Sequence, residues 1–260
     1  MPDAAVPLKT KGLGQTRRKD AWWAEPTAIF VALVAFILYA TWAAFQNGHY
    51  RAPAGVEHPP YISPFYAPDL TTIIPGWTWS PAFLILWIPA GFRLTCYFCR
   101  RCYYRGLMAD PPACAVSEPR GEGYRGETGL FAFNNLHRYF LYFALILVCF
   151  HWIDVWHALH WQGKLGIGVG SVVIAADAFA LTMYVLSCHA LRHLVGGSLD
   201  AFSTAPAGSL RLSLWRWVTR LNEHHGLWFW ISLFMVGLAD VYVRFVSMGY
   251  IRDLNTWGIG

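Results

Sequence analysis

Apolar stretches alternate with polar ones along the 260-residue chain, and five are long enough to matter. Thr27 to Gln46 is 20 residues without a charge, enough to cross a bilayer as a helix. Thr71 to Phe92 is 22 residues without a charge but contains Pro75, Pro81 and Pro89. The pattern predicts a helix that starts near Trp79, bends at Pro89 and keeps its periodicity into Tyr104. Phe131 to Asp154 is a third stretch, interrupted by His137, Arg138 and His151. Leu165 to Leu191 is a fourth, with Asp177 inside it, and Asn222 to Val246 a fifth. Asp240 and Arg244 lie near the end of the fifth, at i, i+4, and are expected to pair. The expected fold is all-α, a five-helix transmembrane bundle with four or six helices as alternatives. The spans are 27–46, 77–104, 131–155, 165–194 and 222–246, within a membrane domain at 25–250. Residues 1–24 read as an extension, 251–260 as a tail, and Leu210 to Leu221 as a short amphipathic surface helix. Arg211 and Arg220 on that helix would reach toward headgroups. No internal repeat is evident, which disfavours an inverted-repeat transporter.

Composition agrees with a membrane protein. Hydrophobic residues make up 56% and charged ones 13%, against about 25% charged in soluble domains. Mean hydropathy is +0.35. These values exclude a disordered chain, a coiled coil and a nucleic-acid-binding domain. Six cysteines are too few for a disulfide scaffold. The net charge of +5 matters less than its distribution. With five spans, 16 of the 20 Lys and Arg residues fall on one side and four on the other. The positive side is cytoplasmic, so the N-terminus is expected inside and the C-terminus outside. The first apolar segment is too long for a signal peptide and has no A-x-A site close behind it, so the extension is expected to be retained.

On this topology the inner ends of the helices gather Cys96, Cys99, Cys102, His137, Cys188, His189, His193, His224 and His225, and the inner loop adds Cys114. Soft thiolates beside imidazoles form a metal-ligand set. His189 and His193 are i, i+4 and could grip one iron, or simply hydrogen-bond at a helix end. Cys96, Cys99 and Cys102 have the C-x2-C-x2-C spacing that opens a ferredoxin motif. Tyr97, Phe98, Arg100 and Arg101 suit a helix rather than a cluster loop, so Cys96 is the candidate ligand and the other two are expected to pack. The first two spans lack histidine, although His137 with His189 or His225 could still hold one haem. Two Cys with two His at one depth is the formula of a Rieske-type [2Fe–2S] centre, and equally of a Cys2His2 zinc site. Asp177 reads as a proton-relay group or a satisfied polar one. Arg138, Tyr139, Tyr104 and Trp228 could line a quinone pocket. Three functions remain open here: an iron–sulfur electron-transfer anchor, a haem b cytochrome anchor, and a proton-conducting transporter.

A resemblance narrows them. It is carried by Thr95-Cys96-Tyr97, Pro111 to Val116, Asn135-Leu136-His137-Arg138-Tyr139, Leu186-Ser187-Cys188-His189 with Arg192-His193, Gly196-Gly197, Leu221-Asn222 with His225, and Asp240 to Arg244. In these stretches the chain resembles the five-helix membrane anchor of actinobacterial-type succinate:quinone oxidoreductase, respiratory complex II. The resemblance implies an electron-transfer subunit without the dicarboxylate site and without catalytic residues of its own. It implies a multi-pass protein of the cell (inner) membrane, surrounded by lipid, that anchors a flavoprotein and an iron–sulfur subunit on the cytoplasmic side. Electrons from succinate would pass to quinone through a Rieske-type [2Fe–2S] cluster standing in place of haem. The implied metal ligands are drawn from Cys96, Cys188 and Cys114, and from His193, His189, His225 and then His137. Which two of each bind is left open. Arg93, Arg100, Arg101 and Arg105 would face a docked partner, although plain positive-inside bias accounts for most of them.

Overall fold

The computed structural model describes residues 14–53, 58–74, 76–117 and 129–257. Most of the expected N-terminal extension, part of the inner loop and the end of the tail lie outside the described residues. Among the described residues the structure is mostly helical; two short hairpins, β1–β2 (Arg51–Ala52 with Tyr61–Ile62) and β3–β4 (His160–Trp161 with Lys164–Leu165), lie in loops. The helices are α1 (Ala24–Gln46), α2 (Ala82–Ile85), α3 (Trp87–Leu94), α4 (Tyr97–Gly106), α5 (His137–Leu159), α6 (Val169–Leu186), α7 (His189–Arg192), α8 (Gly208–Asn222) and α9 (His225–Ser247). Among the described residues, four stretches are long and apolar enough to cross a membrane: Ala24–Gln46, Ala132–Leu159, Val169–Leu186 and His225–Ser247.

The stretch expected as one bent helix over 77–104 is instead three pieces, α2, α3 and α4. The first break, at Leu86, has a local cause. Pro89 has no N–H to donate, and its ring crowds the carbonyl of Ile85, where α2 ends. The second break falls at Thr95–Cys96, where no proline stands. Thr95 is αR (φ −84°, ψ −8°) and Cys96 is extended (φ −65°, ψ 133°). The fourth expected span breaks the same way. Ser187 ends α6 (φ −81°, ψ 0°) and Cys188 is extended (φ −64°, ψ 137°) before α7 and a π-helical turn, His193–Gly197.

Helix α6 packs against α5 and α9, α1 against α4 and α9, and α3 against α5. Gly91 lets α3 approach α5 closely: a Cβ there would meet the Phe140 ring at 2.1 Å. The amphipathic helix α8 forms where expected, but Arg211 does not point to headgroups. Its Nε donates to Val195 O (2.8 Å), because the π turn leaves carbonyls without helical partners.

The end of the bundle opposite the thiols is closed by buried charge. Arg244 Nε donates to Asp240 Oδ2 at 2.7 Å, and the two side chains are 2% and 0% exposed. Its other nitrogens donate to Gly48 O (2.8 Å) and Ala43 O (3.0 Å), capping the end of α1. Tyr39 and Ser63 hydroxyls donate to the Asp240 carboxylate. Nearby, Asp253 accepts from Tyr61 (2.8 Å), Tyr242 (2.6 Å) and the Gly170 N–H at the start of α6 (2.8 Å), which pins the tail. Burial, and then the bond to Asp253, holds the Tyr61 phenol above its ordinary range, so it stays a donor. Replacing Asp240 with Asn leaves Arg244 buried without its countercharge. The expected loss is about 3–5 kcal/mol, read as a lower Tm for the detergent-solubilised complex; an unchanged Tm would show that the ion pair contributes nothing.

Candidate metal centre

At the thiol end, two cysteines and two histidines form two pairs. Cys96 Sγ lies 3.2 Å from His225 Nε2, and Cys188 Sγ lies 3.1 Å from His137 Nε2. Each thiol is also within electrostatic range of the other, as are the two imidazoles. The four residues come from four places: the α3–α4 break, the first residue of α5, the α6–α7 break and the first residue of α9.

Hydrogen-bond accounting fixes the tautomers. The Thr95 hydroxyl donates to Gly91 O (2.7 Å), so its oxygen accepts from His137 Nδ1–H at 2.9 Å. The Ser187 hydroxyl donates to Tyr184 O (3.0 Å) and accepts from His225 Nδ1–H at 2.7 Å. Both histidines therefore carry their proton on Nδ1 and turn an Nε2 lone pair toward a thiol. Each thiol S–H donates to that Nε2. The rings are clamped as well: His137 stacks on Phe92 (4.7 Å, 15°) and His225 on Tyr184 (5.0 Å, 16°).

The two halves are copies of one design. Phe92-Arg-Leu-Thr95-Cys96 and Tyr184-Val-Leu-Ser187-Cys188 share the order aromatic, any residue, leucine, hydroxyl, cysteine. In each, the hydroxyl bonds back into its own helix, the aromatic ring stacks on a histidine, and that histidine reaches the other half's thiol. Helices α4, α5 and α9 all begin here, so their positive N-terminal ends converge where thiolate charge would develop. Gly226, beside His225, lets α9 start against Phe98; a Cβ there would meet that ring at 2.5 Å.

Beside the pairs lies a cavity of about 450 Å³, lined in part by Cys96, Arg138, Tyr139, His189, His193 and His225. Among the described residues, no three His, Cys, Asp or Glu side chains converge tightly enough to hold a single metal ion.

Residues 24–249 match the family described as actinobacterial succinate dehydrogenase subunit SdhC. The chain belongs to this family. It is also similar to a chain in a solved structure described as the Mycobacterium smegmatis Sdh1 complex in the apo form, at 35% identity and a TM-score of 0.82, covering 96% of this chain and 97% of that one. No curated protein sequence matches. The protein is thus a multi-pass membrane subunit of a succinate dehydrogenase.

The remaining candidate residues of this SdhC-family chain scatter around the pairs. His189 and His193 line the cavity together with Cys96, and His193 Nδ1 is buried with no partner among the described residues. Cys114 is exposed, in a loop that pairs with residues 14–18; Arg18 donates to its carbonyl at 2.9 Å. Cys99 and Cys102 are buried in the apolar core beside Leu33 and Phe229. Arg138 and Tyr139 reach the cavity, whereas Tyr104 packs by Tyr103 (5.1 Å) and Trp228 by Phe179 (6.0 Å). Of the arginines expected to face a partner, Arg93 turns inward instead. It donates to Ser232 Oγ (2.9 Å) and Phe229 O (3.3 Å) and lies 4.7 Å from the centre of the Tyr184 ring, because the end of α3 presents it to α9. Arg105 and Arg101 approach Glu25 at 2.8 Å and 3.7 Å. Asp177 is buried, and its Oδ1 has no hydrogen-bond partner among the described residues. Thr95 and Ser187 carry no weight as ligands in a sequence reading, although a hydroxyl directly before a cysteine on two helices is a visible signal. The burial pattern predicts that a thiol reagent applied to metal-free folded protein labels the loop residue Cys114 first, with Cys96 and Cys188 reacting only on unfolding. Mass spectrometry of labelled peptides checks this, and early labelling of Cys188 would contradict it.

Proposed function

We propose that this chain is the electron-transfer anchor of its succinate dehydrogenase, holding a Rieske-type [2Fe–2S] cluster on Cys96, Cys188, His137 and His225. The observation that carries this reading is the facing of two thiols by two Nε2 lone pairs, at 3.2 and 3.1 Å, inside an apolar core. The donor set fits the group: two sulfurs and two neutral imidazoles match Rieske ligation, and imidazole raises the potential of such a centre relative to four thiolates. When bound, the cluster would relay single electrons between a soluble partner and quinone. A Cys2His2 zinc site would draw on the same four residues, and iron and zinc analysis of the purified complex separates the two.

The surrounding residues supply position and insulation. Phe92 and Tyr184 hold the imidazole planes and, with Phe229, keep water from the sulfurs. The neighbouring cavity takes the quinone headgroup. Arg138 and Tyr139 provide donors there, and the unpartnered His193 Nδ1 faces a quinone oxygen. The three pieces α2, α3 and α4 serve as the fifth membrane crossing, their combined length standing in for one continuous span. Sixteen of the 20 Lys and Arg residues then lie inside, the N-terminus is cytoplasmic and the C-terminus outside. Flavoprotein and iron–sulfur subunits dock on the cytoplasmic face, the side of the thiols.

Iron analysis, optical spectra and EPR of the purified complex test the reading. Cys96→Ser, Cys188→Ser, His137→Ala and His225→Ala are each expected to remove one EPR signal and to bring quinone reduction to background. Succinate oxidation by a soluble artificial acceptor should survive, because the dicarboxylate site lies in the partner. His193→Ala should slow quinone reduction with the signal intact. A Soret band stoichiometric with the chain, or full quinone reduction in the cysteine variants, would overturn the assignment.

A further inference from the structure

Neither hydroxyl beside the ligand cysteines is explained by packing alone. Thr95 and Ser187 are 4% and 0% exposed, and each spends its proton on its own helix (Gly91 O, Tyr184 O) so that its oxygen can accept from an imidazole. A buried hydroxyl needs only one partner to be satisfied; each of these adds an imidazole nitrogen to its bond within the helix. The bonds also cross between halves. Thr95, next to Cys96, holds the histidine that faces Cys188; Ser187, next to Cys188, holds the histidine that faces Cys96. The four residues and two hydroxyls thus close into one ring, and rotation of either imidazole would break a bond on each side.

We infer that Thr95 and Ser187 are a matched pair of positioning residues that reserve Nε2 of His137 and His225 for metal by holding Nδ1–H. The inference rests on the cluster reading above and deepens it. A hydroxyl that accepts from Nδ1–H enriches the imidazole in electron density, which stabilises the oxidised form of the bound iron. The same contacts hold both rings at the angle that faces the sulfurs. Such partners typically contribute about 10–100-fold to metal affinity or activity when the ligands themselves are unchanged.

The test uses the intact complex with Thr95→Val and Ser187→Ala, the conservative Thr95→Ser and Ser187→Thr, and Thr182→Val as a control. Thr182 bonds back to Ala178 O (2.6 Å) in the same helical manner but contacts Trp152 rather than an imidazole. EPR-monitored redox titration is the readout. The expected result is a higher midpoint potential in Thr95→Val and Ser187→Ala, or an assembled complex that has lost the signal. The conservative variants should restore the wild-type potential, and Thr182→Val should never leave it. Wild-type potential in the Val and Ala variants would overturn the inference while leaving the cluster standing. So would failure of both to assemble, which would make the hydroxyls merely structural. A wild-type complex without the signal would instead defeat the cluster reading, on which this one depends.

Discussion

The structure turns on two interruptions of helix. A continuous helix would spend the backbone around Cys96 and Cys188 on its own ladder and carry the two thiols off around its surface. At both places a hydroxyl bonds back to a carbonyl three or four residues earlier, and the next residue swings to extended geometry. Each thiol is thereby set at the start of a new helix, facing the interior. Once these breaks exist, the first residues of α5 and α9 can meet them, and two thiols, two imidazoles and two hydroxyls share one buried volume.

A bundle in lipid gains little from simple apolar burial between helices, so polar contacts carry much of its specificity. The protein separates these by end. At one end Arg244 and Asp240 close off α1 and α9, with Tyr39 and Ser63 completing the carboxylate's bonds. At the other, thiols, imidazoles and hydroxyls pair with one another beside a cavity whose lining includes Arg138. At this end Arg93 is spread over the Tyr184 and Phe229 rings. The same division makes one end a clasp and leaves the cavity at the thiol end.

Much of this was legible in the chain. Length without charge marked α1, the i, i+4 spacing of Asp240 and Arg244 marked their pairing, and Pro89 marked a disturbance whose position it misled by three residues. The crowding of Cys and His at one end pointed to soft metal chemistry. Pattern alone could not rank the histidines. His189 and His193 look coupled because periodicity shows them on one face, whereas His137 and His225 lie 88 positions apart and are joined only by packing.

What the sequence determined by itself is the kind of molecule: an apolar, mostly helical membrane protein rich in thiols and imidazoles near its helix ends, set by burial preference and spacing that need no partner segment. Only the tertiary structure decided which thiol faces which imidazole, and which nitrogen is offered. Those choices depend on hydrogen bonds between residues 42 and 38 positions apart, Thr95 with His137 and Ser187 with His225. No local propensity encodes them, because each bond exists only after separate helices have packed.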